Sequence, residues 1–124
     1  MPAVHVDRFE AKSADSPDET RTPPNQLVQV VHIGDHTLSR ITMKPGWRWS
    51  ENVKPIAGTD RCQMSHVGYA VAGSLVIETA DGGQHKISGG DFYTIPPGHD
   101  AWNDGNHDFV GLEILSAAEY GKGA

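Results

Sequence analysis

The sequence predicts an all-β domain of the sandwich or barrel type. Glycine and proline are abundant, with 14 and 8 residues among 124, and aromatic residues are few. The apolar segments are short and closely punctuated by turn signals, the pattern of many brief strands. A chain of this length forms one domain and buries roughly two-thirds of its unfolded surface, so a core can form without disulfides.

The elements follow in order. Residues 1–25 predict an irregular arm, because 11–25 holds Ser, Asp, Glu, Thr and three prolines but almost no large apolar side chain. The barrel domain, 26–124, opens with strands at 27–33 and 37–44 joined by Gly34-Asp35 and ended by Pro45-Gly46. A brief strand is expected at 47–50, then a loop over 51–59 carrying Pro55 and Gly58. Residues 61–79 form the strongest β region, broken at Ala72-Gly73-Ser74. Asp81-Gly82-Gly83 turns the chain into 84–87, and Gly89-Gly90 leads to strands at 92–95 and 101–102. Asp104-Gly105-Asn106 turns into a last strand at 108–115, and Ser116 is placed to cap a short C-terminal helix over 116–119.

Composition excludes several functions. A single cysteine, Cys62, permits no internal disulfide and points to a reducing cytoplasm. No apolar run reaches bilayer length, and residues 1–10 lack the apolar stretch of a secretion signal. With a net charge of −6 and its cations dispersed among carboxylates, the chain is not expected to bind nucleic acid. Gly82-Gly83 and Gly89-Gly90 are followed by neither a helix nor a lysine suited to cradling phosphate.

Strand alternation places Asp60, Cys62, Met64 and His66 on one face if that strand is unbroken. Gly68, Ala70 and Ala72 continue the face with small residues, leaving room for a ligand, while Val67, Tyr69 and Val71 bulk the other side. On a regular strand Cys62 and His66 stand roughly 13 Å apart, which excludes a thiol–imidazole nucleophilic pair. A shared metal requires the chain to bend between them. His99 follows a Pro-Pro-Gly turn, with Trp102 just beyond it as a candidate for stacking on a ligand. Trp47 and Trp49 are expected on opposite faces, and Arg48 between them is a candidate to grip a substrate carboxylate. His5, His32, His36, His85 and His107 lie in the arm or near turns and read as solvent-exposed.

Over about residues 37–115 the chain resembles the cupin superfamily, whose small members are jelly-roll β-barrels. Gly90-Asp91 and Pro96-Pro97-Gly98 match that family's second motif, and Gly73 matches the closing glycine of its first. The resemblance places Asp60 and Cys62 in the two histidine slots of the first motif and His66 in the glutamate slot. It places Ala101 where the second motif has its metal-binding histidine, with His99 two residues earlier as the substitute.

The expected site is therefore a divalent-metal centre of Cys62, His66 and His99. A thiolate with two imidazoles suits zinc first, with iron, manganese, copper or nickel also acceptable. Asp60, Met64, Trp102 and Arg48 are the candidate substrate-binding residues, and Asp60 is also placed to ligate or to orient a ligand. Two functions fit. One is a metal-dependent oxygenase, isomerase or lyase acting on a small molecule in the barrel; the other is a non-catalytic cupin that senses or carries a small ligand or metal. A homodimer paired through a sheet edge or face is expected.

Overall fold

The computed structural model describes residues 6–114. It consists of two antiparallel sheets with two single-turn helices. The larger sheet has the order β1-β2-β3-β9-β4-β7, from Glu19–Arg21, Gln26–Ile33, His36–Met43, Phe109–Ile114, His66–Ala72 and Phe92–Ile95. The smaller has the order β6-β5-β8, from Gln84–Ser88, Ser74–Glu78 and Asp100–Trp102. The sheets face each other in the jelly-roll manner without closing into one continuous ladder. No helix of the described residues is long and apolar enough to cross a membrane.

The glycine punctuation acts as expected. Gly34 takes φ 55° in the β2–β3 turn and Gly82 takes φ 87° in the β5–β6 turn, where a side chain would be strained. At Gly73 φ is 78°, and an added Cβ would lie 2.3 Å from the carbonyl oxygen of Asp108. Glycine is required there, and it lets β4 pass from the large sheet into β5 of the small one.

Alternation along the strands builds the core. Val28 and Val30 of β2, Ile41 and Met43 of β3 and Phe109 of β9 face Leu75, Ile77, Ile87 and Ala101 of the smaller sheet, all buried. Phe109 is 1% exposed, and truncating it to alanine would cost about 3–5 kcal/mol.

Four expectations are corrected. The arm contributes a strand, because β1 pairs with β2 in register from Glu19 opposite Val30. Residues 47–50 form no strand: α1, Trp49–Asn52, starts there, followed by α2, Lys54–Ala57, within the segment expected to be a loop. Trp47 and Trp49 both enter the core at 1% exposure, because Arg48 between them is extended and residues two apart on an extended chain share a face; this corrects the expectation of opposite faces. The strand expected from residue 61 begins only at His66, and Cys62 makes an isolated bridge to His99. The helix expected over 116–119 lies outside the described residues.

Candidate metal centre

Cys62 reaches the centre through its backbone. Its N–H donates to the His99 carbonyl at 2.9 Å, and the Gly98 N–H donates to the Cys62 carbonyl at 2.7 Å. Gly98 turns the chain there with φ 89°. Between Cys62 and His66 the chain bends, so the sulfur lies 3.7 Å from Nε2 of His66 and not a strand's length away. The imidazoles of His66 and His99 meet edge-on with ring centroids 5.0 Å apart. The thiol and the two imidazoles offer ligand atoms that all lie within 4.8 Å of one another, and all three residues are buried.

Each imidazole is anchored through its other nitrogen. Nδ1–H of His66 donates to Oε1 of Glu113 at 2.7 Å, and the Tyr93 hydroxyl donates to Oε2 of the same carboxylate at 2.7 Å. Nδ1–H of His99 donates to the Pro96 carbonyl at 2.6 Å. Both rings thus keep Nε2 for a ligand, the carboxylate–histidine arrangement common beside bound metals.

Tyr93 reaches Glu113 because two residues leave space for it. A Cβ on Gly68 would lie 2.7 Å from the tyrosine hydroxyl, and one on Gly111 2.9 Å from it. The room expected for a ligand beside Gly68 is therefore filled by the protein's own tyrosine. Of the remaining small residues, Ala70 is buried and Ala72, past a bulge in the β4–β9 ladder, is exposed.

Electrostatics favour a charged thiol. Burial alone would push Cys62 up, but hydrogen bonding and positive charge from His66 and His99 outweigh it and bring the thiol down to about 6. Burial alone would push His66 down, and the Cys62 sulfur together with Glu113 raises it to about 10. A thiolate beside an imidazolium is the metal-free form of this site. A metal ion would replace the imidazolium proton as the positive charge.

The donor types, a thiol and two imidazoles held within 4.8 Å of one another, suit a divalent transition metal. Zinc–sulfur bonds near 2.3 Å and zinc–nitrogen bonds near 2.0–2.1 Å imply separations of roughly 3.3–3.7 Å between tetrahedral ligand atoms. The Cys62–His66 separation already has that length. Two neutral imidazoles and a thiolate, with Glu113 behind one ring, also make a nearly charge-balanced site for a dication.

His66 and His99 also line an internal cavity of about 20 Å³, together with Tyr93, Glu113, Trp47 and Ala101. Ala101 and His99 are two positions apart, so the same alternation aims both inward. Moving the histidine from slot 101 to slot 99 shifts the centre towards the end of β8, where the Cys62 bridge meets it.

The four candidate substrate-binding residues are not brought to this cavity. The Asp60 side chain is 99% exposed and pairs with Lys54 at 3.4 Å, so it neither ligates nor orients a ligand: the unbroken strand that would aim it inward does not form. Met64 is partly buried and packs against the core. The Arg48 guanidinium lies 4.1 Å over the Trp102 ring and 3.5 Å from Asp100. These two residues stack on each other, and neither lines the inner cavity.

Glu113 was not foreseen. In β9 it sits between Leu112 and Ile114 and reads as the polar face of an amphipathic strand. The signal was present in the period: counting by twos from the buried Phe109 through Gly111 leads inward to Glu113.

No protein-family model matches the chain, and no curated protein shows significant similarity to it. Solved structures do resemble it. A cupin domain from Bordetella pertussis is 25% identical with a TM-score of 0.51, over 74% of this chain and 93% of that one. A sugar phosphate isomerase of the cupin superfamily from Silicibacter pomeroyi is 15% identical with a TM-score of 0.61, over 85% and 74%. The polyketide cyclase RemF from Streptomyces resistomycificus is 13% identical with a TM-score of 0.63, over 86% and 78%. Its sheet order, its motif turns and these neighbours agree in giving the chain the fold of a small cupin.

Proposed function

We propose that this protein is a metal-binding cupin that holds one divalent transition-metal ion, zinc in first place, at Cys62, His66 and His99. The observation that carries this reading is the anchoring of both histidines through Nδ1, which turns two imidazole nitrogens and a thiol towards one point. When bound, zinc supplies Lewis acidity and acidifies a coordinated water towards neutrality. The chain's own part is to fix the tautomers, to hold Glu113 behind His66 and to keep bulk water out.

The size of the inner cavity favours a sensing or accessory role over turnover of an organic substrate. About 20 Å³ admits roughly one water molecule, and an oxygenase, isomerase or lyase needs room for a substrate beside the metal. The solved neighbours named as an isomerase and a cyclase share the fold at 15% and 13% identity, which supports the architecture and leaves their reactions to them.

Elemental analysis of tag-free protein tests the reading. Near one equivalent of metal is expected in the native protein, with loss in Cys62→Ser and in His66→Ala, each checked for folding by circular dichroism. Metal content unchanged in both folded variants would overturn the centre. Conversion of an offered substrate by the metal-loaded protein would overturn the non-catalytic role.

A further inference from the structure

The indole N–H of Trp47 is a buried polar group that the three ligands and their anchors do not account for. The residue is 1% exposed, and its Nε1 is buried with no hydrogen-bond partner among the described residues. Its backbone is held on both sides: the Trp47 N–H donates to the Lys44 carbonyl at 3.0 Å, and the Asn103 N–H donates to the Trp47 carbonyl at 2.9 Å. Turning the ring out to solvent would take a fully buried tryptophan from the core. A buried donor left unpaired is costly, and folded proteins supply nearly all such groups with an acceptor.

We propose that Trp47 is a ligand-binding residue of the centre: its Nε1–H donates to one water-sized acceptor, a water molecule or a small anion in its place, seated in the inner cavity beside His66 and His99. Trp47 lines that cavity together with both imidazoles. Its volume of about 20 Å³ exceeds the roughly 10–15 Å³ that a single water requires. Ala101 leaves this room, since a larger side chain at that place in the wall would fill it.

The protein's own acceptors do not supply the partner. Both oxygens of Glu113 already accept, one from His66 and one from Tyr93, and much of the remaining wall is apolar, with Ile41, Leu75 and Phe109. An indole N–H only donates, so the occupant must turn a lone pair towards it. Size and chemistry together select a compact acceptor and exclude an organic molecule. The small-anion part of the proposal rests on the metal reading, whereas the water part is read with the metal removed.

Proton NMR of the full-length protein, treated with chelator, tests the water. The Trp47 indole N–H should show a contact to a long-lived water, and Ala101→Val should abolish it while keeping the native circular dichroism spectrum. In zinc-loaded protein fluoride, a single-atom acceptor, should bind, and azide, a linear acceptor of three atoms, should not. Trp47→Phe should weaken fluoride about 10- to 100-fold at unchanged zinc content, the loss of one hydrogen bond to a charged acceptor. A native chain without the water contact would overturn the proposal, and that measurement decides even where Trp47→Phe does not fold. Equal fluoride affinity in native protein and folded Trp47→Phe, or azide binding as tight as fluoride, would overturn it as well. A chain that takes up no zinc yet holds the water at Trp47 would uphold the role of the indole and overturn the metal centre instead.

Discussion

Glu113 lies 2.7 Å from Nδ1 of His66, deep between the two sheets. A carboxylate from the last described strand thereby decides which nitrogen of a histidine on β4 faces the Cys62 sulfur. The carboxylate's other oxygen takes the Tyr93 hydroxyl, so three strands contribute to the orientation of one imidazole.

Glu113→Gln should lower metal affinity about 10- to 100-fold without altering the ligands themselves. The amide still fills the site but lacks the charge that supports His66, and its NH₂ group cannot accept from Tyr93. Competition against a chelator of known affinity measures the change. An affinity equal to that of the native protein would deny Glu113 a positioning role.

Gly68→Ala should act on the same relay from the opposite side. Its Cβ would meet the Leu112 carbonyl oxygen at 2.6 Å and the tyrosine ring at 2.7 Å, so Tyr93 must shift away from Glu113. Overpacking of this kind costs about 1–3 kcal/mol, read as a lowered thermal midpoint. Tyr93→Phe should reproduce the loss of metal affinity with a smaller loss of stability. Equal midpoints for Gly68→Ala and the native chain would show that the space is not tight.

The metal-free protein should show a pH dependence that changes in Cys62→Ser, where only Glu113 still raises His66. The thiol's folded pKa is depressed from 9.0 to about 6, so its stabilisation is fully present above 9.0 and lost as pH falls through about 6. The His66 pKa is raised from 6.5 to about 10, so its stabilisation is fully present below 6.5 and lost as pH rises through about 10. The two slopes oppose each other between 6.5 and 9, and there the pair's contribution should be level. It should fall as pH rises from 9 to 10 and, by a smaller amount, as pH falls from 6.5 to 6. Chemical denaturation of native and Cys62→Ser protein with chelator present gives the difference curve; a difference that does not vary with pH would refute the charged pair.

Arg48→Ala provides the contrast. Removing the guanidinium from the Trp102 face should cost about 0.5–1 kcal/mol, in keeping with its partial exposure, and leave the metal content at the native level. Loss of metal in this variant would tie the Arg48–Trp102 stack to the centre after all.

The turns and most strands were legible because they depend on local chemistry. Gly34, Gly73 and Gly82 all adopt positive φ, which few other residues tolerate, and each stands where its neighbours already suggested a reversal. His99 was legible as the stand-in for Ala101 because strand alternation is strict over two residues. The departures arise where tertiary contacts override local pattern. Cys62 is drawn to His99 by two backbone bonds, which curtails the strand that alternation alone would continue to residue 61 and leaves Asp60 in solvent. Trp49 enters a helical turn whose capping partner is distant in sequence: the Asp100 carboxylate accepts from the Ser50 N–H at 3.1 Å.

Two of the three candidate donors, Cys62 and His99, lie just outside the regular ladders and are bridged to each other, while His66 is the first residue of β4. Separating that bridge would release both donors together and leave the main sheet hydrogen bonds intact. Residence time of a captured ion would then be governed by a local breathing motion near residues 62 and 99, so exchange can outpace global unfolding by orders of magnitude.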